Sequence, residues 1–235
     1  MDEDARQLLD WVDGRLGSPR HDQVEDWLGS HGWTPCGEGD WARAHRSPDG
    51  RLAARVSPFD PACSMTVALY REGAGNRYLP RLHAHRPLDG GGCLMLLDFL
   101  TAVAADEASR WHQRLRDRTA HEADRELAAA AALIAQLHRR AEAALPWCGP
   151  LDDNPGNVMC GPSGQITFVD LFYVQGRVLY AKALDAAAEV VAAIPAGLRR
   201  HMFEIPAMAR EASAEEIVRM RSAVAEADVD ATTAG

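Results

Sequence analysis

The pattern of apolar residues changes character at Leu100, and no other feature limits the available folds as strongly. From Trp33 onward the short runs WTPCGEG, WARAHRS and RLAARVS are separated by Gly-rich or Pro-Asp-Gly punctuation, which predicts an antiparallel meander. Ser47-Pro48-Asp49-Gly50 is its clearest hairpin turn. A helix is predicted over 61–73, and LPRLHAHRPL and CLMLLDFL, the latter following Gly90-Gly91-Gly92, read as two more strands. The result is a five-strand sheet with one inserted helix. Ahead of it, DARQLLDWVDGRL sets Leu8, Leu9, Val12 and Leu16 on one helical stripe, and DQVEDWLG predicts a second short helix closed by Gly29.

Beyond Leu100 the periodicity is helical. A polar helix is expected near 105–117 and an alanine-rich one over 121–145 (HEADRELAAAAALIAQLHRRAEAAL). Within this second part, PWCGPLDDNPGNVMCGPSGQITFVDLFYV alternates turn clusters with two apolar strands, VMC and ITFVDLF. Helices near 181–194 and 213–227 follow, and the small, polar tail DVDATTAG is expected to fray. The pattern predicts an α+β chain: N-terminal helices over 1–32, a sheet-rich lobe over 33–100, a helical lobe over 101–228 carrying a turn-rich hairpin at 148–175, and a frayed tail over 229–235.

With 25 basic against 34 acidic side chains the formal charge is -9, which argues against a nucleic-acid or anionic-membrane binder. The basic set is almost wholly arginine, Lys182 being the single lysine. The acidic N-terminus lacks a secretory pattern and no apolar run reaches the length of a membrane span, so a cytoplasmic protein is expected. Five cysteines, at 36, 63, 93, 148 and 160, form no C-x-x-C pair and are expected to be buried free thiols. His83 and His85 share one face of an extended segment, and with no third ligand close in sequence no metal site is expected there.

Chemistry concentrates in Asp152-Asp153-Asn154-Pro155-Gly156-Asn157 and in Asp170 at the end of ITFVD. Phosphoryl transfer needs one carboxylate to orient the attacking hydroxyl and oxygen ligands to hold magnesium against nucleotide phosphates. Asp152 and Asn157 have the D-x-x-x-x-N spacing of a kinase catalytic loop, and a hairpin would return Asp170 beside Asn157. Asp, Asn, Pro and Gly also make ordinary turns, so it is Asp170 that lifts the segment above a plain loop. Gly37-Glu38-Gly39-Asp40-Trp41-Ala42 reads either as a Gly-rich hairpin or as a phosphate-cradling loop, with Ala42 where G-x-G-x-x-G has its third glycine. Leu52-Ala53-Ala54-Arg55-Val56 matches the V-A-I-K strand with Arg55 at the lysine position, or places an exposed strand charge there.

L-D-D-N-P-G-N-V-M, a turn, then F-V-D, after an Ala-rich helix ending A-Q-L-H-R, resembles the aminoglycoside phosphotransferase and choline kinase branch of the protein-kinase-like superfamily. The resemblance spans about residues 33–190. It implies a two-lobed fold with ATP and Mg²⁺ in the cleft, Asp152 as catalytic base, Asn157 and Asp170 as magnesium ligands, and Leu137-His138 as the helix pair before the loop. Gly37 and Gly39 would cover the phosphates, Arg55 would contact them with Glu72 as its ion-pair partner, and Asp98 to Leu100 would meet the adenine edge. Pro150 and Leu151 stand where the family has His-Gly. The implied reaction is transfer of the γ-phosphate to a hydroxyl, either of a small molecule or of Ser/Thr in a peptide. Net charge slightly favours a cationic acceptor such as an amino sugar, while the helical stretch of about 65 residues after Asp170, short for the family, keeps open a peptide acceptor of the natural-product precursor type. A pseudokinase that binds a partner protein is the alternative.

Overall fold

Alternation along one strand organises the first half of the molecule. Residues 3–233 are described here from a computed structural model. In β3 (Leu52–Ser57), Leu52, Ala54 and Val56 are buried on one face while Ala53 and Arg55 take the other, as the two-residue period of a strand requires. The first face packs against α1 (Glu3–Asp13) and α2 (His21–Ser30) through Leu8, Val12, Val24 and Leu28. The opposite face is turned toward the helical part of the chain. Such side chains contribute about 1.5–3 kcal/mol each when fully buried, so this register fixes which side of the sheet Arg55 occupies.

Around β3 the sheet has the order β1-β2-β3-β5-β4, all neighbours antiparallel. β1 is Thr34–Glu38, β2 Arg43–Arg46, β4 Leu82–Pro87 and β5 Cys93–Asp98, with α3 (Cys63–Glu72) inserted between β3 and β4. The predicted turn closes between β2 and β3 by a hydrogen bond from Gly50 N to Ser47 O. The five strands and inserted helix expected from the sequence are therefore present, in an α+β chain whose remainder is mainly helical. This is the two-part arrangement that the resemblance implied.

The helical part contains α4 (Ala105–Arg116), α5 (Arg118–Ala123), α6 (Arg125–Ala144), α7 (Gly176–Asp185), α8 (Ala187–Ala193), α9 (Ala196–Arg199), α10 (Pro206–Glu211) and α11 (Ala214–Thr233). A three-stranded sheet of β6 (Thr101–Ala102), β7 (Val158–Cys160) and β8 (Ile166–Phe168) sits beside them. Its core joins α3, α6 and the β7–β8 hairpin through Val67, Met95, Ile134, Leu137 and Phe168. A further core of Val174, Leu179, Val190, Met202, Phe203 and Met220 closes the C-terminal helices. No helix among the described residues is long and apolar enough to cross a membrane.

Several expectations are corrected. The alanine-rich stretch is two helices, because Asp124 accepts from the amides of Glu126 and Leu127 and starts a new one. The predicted 181–194 helix is likewise split into α7 and α8, and ITFVDLF pairs as a strand only over Ile166–Phe168. The tail expected to fray is helical through Thr233, and residues 234–235 lie outside the described range. Leu16 is fully exposed beyond the end of α1, since Gly14 ends the helix before Leu16 can join the stripe. Gly29 does not close α2, which continues to Ser30. Cys63 and Cys93, expected as free thiols, are joined by a disulfide: the first residue of α3 meets the first residue of β5, a closeness that a sequence separation of 30 conceals. Of the other three, Cys36 is exposed and Cys148 and Cys160 are half-buried.

Candidate active site

Between the larger sheet and the β7–β8 hairpin lies a cleft of about 870 Å³. Gly37, Gly39, Arg55, Asp98, Leu100, Asp152, Asn157 and Asp170 all line it. Eight of the nine residues singled out from sequence thus converge there, and the exception is Glu72.

The hairpin is built from its backbone outward. Val169 N donates to Asn157 O at 2.8 Å and Asp152 N to Leu171 O at 3.0 Å, so the segments carrying the two candidate acids run side by side. Asp152 Oδ1 accepts from Asn154 N, and Asn154 Oδ1 accepts from Gly156 N; consecutive Asx turns hold the loop in a single shape. His112 Nε2 donates to Asn154 O at 3.1 Å. Just ahead of Pro150 the loop has an anchor from α6: His138 Nε2 donates to Gly149 O at 2.9 Å and its ring stacks on Phe172. Gly149 is needed there, because a Cβ would lie 2.4 Å from the Tyr173 ring.

Asp170 sits at φ 46°, a left-handed conformation that costs a non-glycine residue about 1–3 kcal/mol and persists only where its surroundings impose it. The surroundings here are specific. Its amide donates to Tyr70 Oη at 3.1 Å, and its carbonyl accepts from Asn157 Nδ2 at 3.2 Å. Asp170 Oδ2 accepts from Arg55 Nε at 2.9 Å. The Asn157 amide oxygen and the Asp170 carboxylate are hard oxygen donors on adjoining segments that flank the β7–β8 hairpin, a set that suits Mg²⁺.

Arg55 does not pair with Glu72. Its Nη2 donates to Asp60 Oδ2 at 3.0 Å while its Nε holds Asp170. Glu72 lies at the far end of α3 and pairs with Arg140 across an exposed surface. Asp60 takes the place expected of Glu72 because it precedes α3, where its Oδ1 also accepts from Ala62 N. Burial works strongly against charge on Arg55, but Asp170 and Asp60 together more than compensate and raise its pKa further. Burial pushes the Asp60 carboxyl up, with Arg55 opposing. Tyr70, buried beside Asp170, has its hydroxyl pKa raised, first by desolvation and then by that carboxylate. In sequence, Asp60-Pro61 before a helix looks like an ordinary turn, so Asp60 escapes notice; only its distance from Arg55 reveals it.

The β1–β2 loop covers the cleft and is tethered. Gly39 N donates to Ala42 O, so that amide belongs to the turn, and Gly37 lies opposite Ala44 in the ladder. Arg210 of α10 donates to Glu38 Oε1, Gly39 O and Asp40 Oδ1. No sequence signal links Arg210 to this loop. On the opposite wall Asp98 and Leu100 line the segment joining the two sheets, where Phe99 N donates to Arg51 O at 2.7 Å and Asp98 Oδ1 meets His83 Nε2 at 2.6 Å.

Among solved structures, a chain in the CAK complex of Chaetomium thermophilum bound to ATP-gamma-S is similar over 66% of this chain and 50% of that one, with 12% identity and a TM-score of 0.34. The chain therefore spans half the length of that neighbour. No family model and no curated protein matches it.

Proposed function

We propose that the protein is a phosphotransferase of the protein-kinase-like class that moves the γ-phosphate of ATP to a hydroxyl. The observation that carries this reading is the convergence of Asp152, Asn157, Asp170 and Arg55 on one cleft from two halves of the chain. Asn157 and Asp170 would hold Mg²⁺, which supplies charge neutralisation for the phosphates when bound. Arg55 fixes Asp170 in place and offers the phosphates a guanidinium. Asp152 orients the acceptor hydroxyl and takes its proton.

A second cavity of about 420 Å³ is lined by His112, Arg116, His121, an alanine face of α6 and, again, Asp152. With nucleotide on one side of Asp152 and this cavity on the other, it is the natural seat for the acceptor. Its basic and apolar wall favours a neutral or anionic hydroxyl compound over the amino sugar that net charge suggests.

Asp152→Asn is expected to lower ATP-dependent phosphate transfer by about 10²–10⁴-fold while keeping the thermal stabilisation given by Mg-ATP. Asp170→Ala should lose that stabilisation. Were Asp153→Asn to show the phenotype expected of Asp152→Asn, the loop register would be off by one. The pseudokinase alternative draws on two observations: Arg55 is already engaged by two carboxylates, and the Gly39 amide is spent on Ala42. It predicts wild-type turnover at background with every candidate acceptor, and no further loss in Asp152→Asn.

A further inference from the structure

Away from the cleft, three segments distant in sequence meet at two buried histidines. His21 is the first residue of α2, Asp89 lies in the turn between β4 and β5, and His201 and Glu204 lie between α9 and α10. His21 and His201 are 7% and 2% exposed, with their rings edge to face at 5.5 Å. We propose that His21, His201 and Glu204 form a site for one divalent transition-metal ion, with zinc the best match.

The hydrogen-bond pattern at His201 suits a cation. Its Nε2 donates to Asp89 Oδ2 at 3.0 Å, and in the neutral ring this leaves a lone pair on Nδ1. That Nδ1 is buried and makes no hydrogen bond, although Glu204 Oε1 lies 3.2 Å away. With the ring neutral, two electron pairs face each other in a desolvated place, a costly arrangement unless a positive centre, either a second ring proton or a metal ion, lies between them. His21 Nε2 approaches the other carboxylate oxygen at 3.6 Å, beyond hydrogen-bond length. One atom from each of the three residues lies within 4.8 Å of the other two, and the 3.2 and 3.6 Å approaches to the Glu204 carboxylate match the roughly 3.3–3.6 Å between ligands of a tetrahedral ion with bonds of about 2.0–2.2 Å.

Ligand chemistry narrows the ion. Two imidazoles and one carboxylate suit zinc better than magnesium or calcium, which prefer all-oxygen shells. Asp89 is the outer partner that fixes the tautomer and orientation of a metal-binding histidine. The fourth position would fall to water, since the Glu204 side chain is 24% exposed and gives a route from solvent. Three arginines approach the cluster: Arg20 and Arg221 reach Glu204 at 3.4 and 3.6 Å, and Arg200 holds Asp89. All three are 44% exposed or more, so their contacts are screened and easily exchanged for water. The ion takes over Glu204 from Arg20 and Arg221, and in doing so ties α2 and the β4–β5 turn to the C-terminal helices.

Full-length protein freed of metal with a chelator and kept under a non-thiol reductant should bind one zinc per chain and melt at a higher temperature with it. Cobalt in its place should give the visible bands of a tetrahedral site without thiolate charge transfer. His21→Asn and Glu204→Gln should each abolish binding. Asp89→Asn, which leaves all three ligands in place and so guards against a loss due only to misfolding, should weaken it about 10–100-fold. The double variant Cys63→Ser/Cys93→Ser should bind as wild type, which matters because Cys63, Cys93 and His85 form the other cluster of metal-binding types among the described residues. Folded wild type that takes up no zinc, zinc uptake unchanged in His21→Asn and Glu204→Gln, or cobalt showing thiolate charge transfer would each overturn the assignment.

Discussion

The two walls of the cleft are held by different kinds of interaction. The β7–β8 hairpin wall is fixed by backbone pairs, Val169 to Asn157, Asp152 to Leu171 and Gly149 to Tyr173, over buried Phe168 and Leu171. Facing it, β1 is exposed along its whole length, and its loop is tied down by ion pairs of Arg43 and Arg210 at the surface. Breaking a buried backbone hydrogen bond leaves an unsatisfied group at a cost of about 1–3 kcal/mol, whereas an exposed ion pair is worth about 0–1 kcal/mol. The wall that carries the candidate acids is therefore preorganised, whereas the β1–β2 hairpin keeps its own ladder but is docked over the cleft by contacts that are cheap to break. Arg55 joins the two, rooted in the sheet and bonded to Asp170.

That junction offers the strongest way to break the contrast. Arg55→Ala removes the only cation paired with buried Asp60 among the described residues and is expected to cost about 3–5 kcal/mol, read by urea unfolding. Asp60→Asn should cost less, because Arg55 keeps Asp170 and the amide leaves no uncompensated charge. Equal and small effects of both would mean that the walls are not coupled through Arg55. Within the rigid wall, His138→Ala leaves Gly149 O with only the weak Cys148 thiol as donor and should cost about 1–3 kcal/mol. It should lower kcat more than it changes nucleotide affinity, since it moves Asp152 and not the phosphates.

How far the sequence reveals these walls depends on whether a feature is local. The strands, the inserted helix and the loop from Asp152 to Asn157 follow from short-range pattern and turn chemistry, and the cleft gathers Arg55, Asp98, Asn157 and Asp170 as that pattern suggests. The partner of Arg55 does not, because α3 begins at Cys63 and carries Glu72 to the far end, and helix register of that kind is set by packing. The Cys63–Cys93 disulfide, the Arg210 tether and the cluster at His201 are likewise meetings of remote segments. Nothing in one stretch of sequence marks them. Asp124 is the reverse case: a capping residue is legible there, but the alanine-rich periodicity around it masks the helix start.

Acid titration compares the two halves directly, since each carries one strongly stabilised carboxylate. Asp49 in the β2–β3 turn is lowered to about 2, chiefly by the Arg51 amide and the Ser47 hydroxyl. Asp124 at the start of α6 is also lowered to about 2, chiefly by the Tyr78 hydroxyl and the Leu127 amide. Both folded values lie below the ordinary 3.8, so their stabilisation is complete above that pH and is lost as pH falls through about 2. Melting temperature should decline across this window, and Asp49→Asn and Asp124→Asn should each flatten the decline. The effect of Asp124→Asn should appear in helical circular dichroism.

The smallest expected effect concerns the cover. Arg210 is 42% exposed on its side chain, as is its partner Glu38, so Arg210→Ala should change unfolding free energy by no more than about 1 kcal/mol. Its functional effect is a different matter, because the same guanidinium holds Glu38, the Gly39 carbonyl and Asp40 together over the cleft. Releasing them frees the loop without touching the hairpin wall. Nucleotide KM should therefore change while kcat under saturation stays near wild type. Added salt should reproduce that KM change in wild type, since exposed pairs are screened over about 8–10 Å at moderate ionic strength. It should add little in Arg210→Ala. A kcat loss as large as that of His138→Ala would show that the loop is part of the catalytic frame, and the contrast between a rigid wall and a movable one would fail.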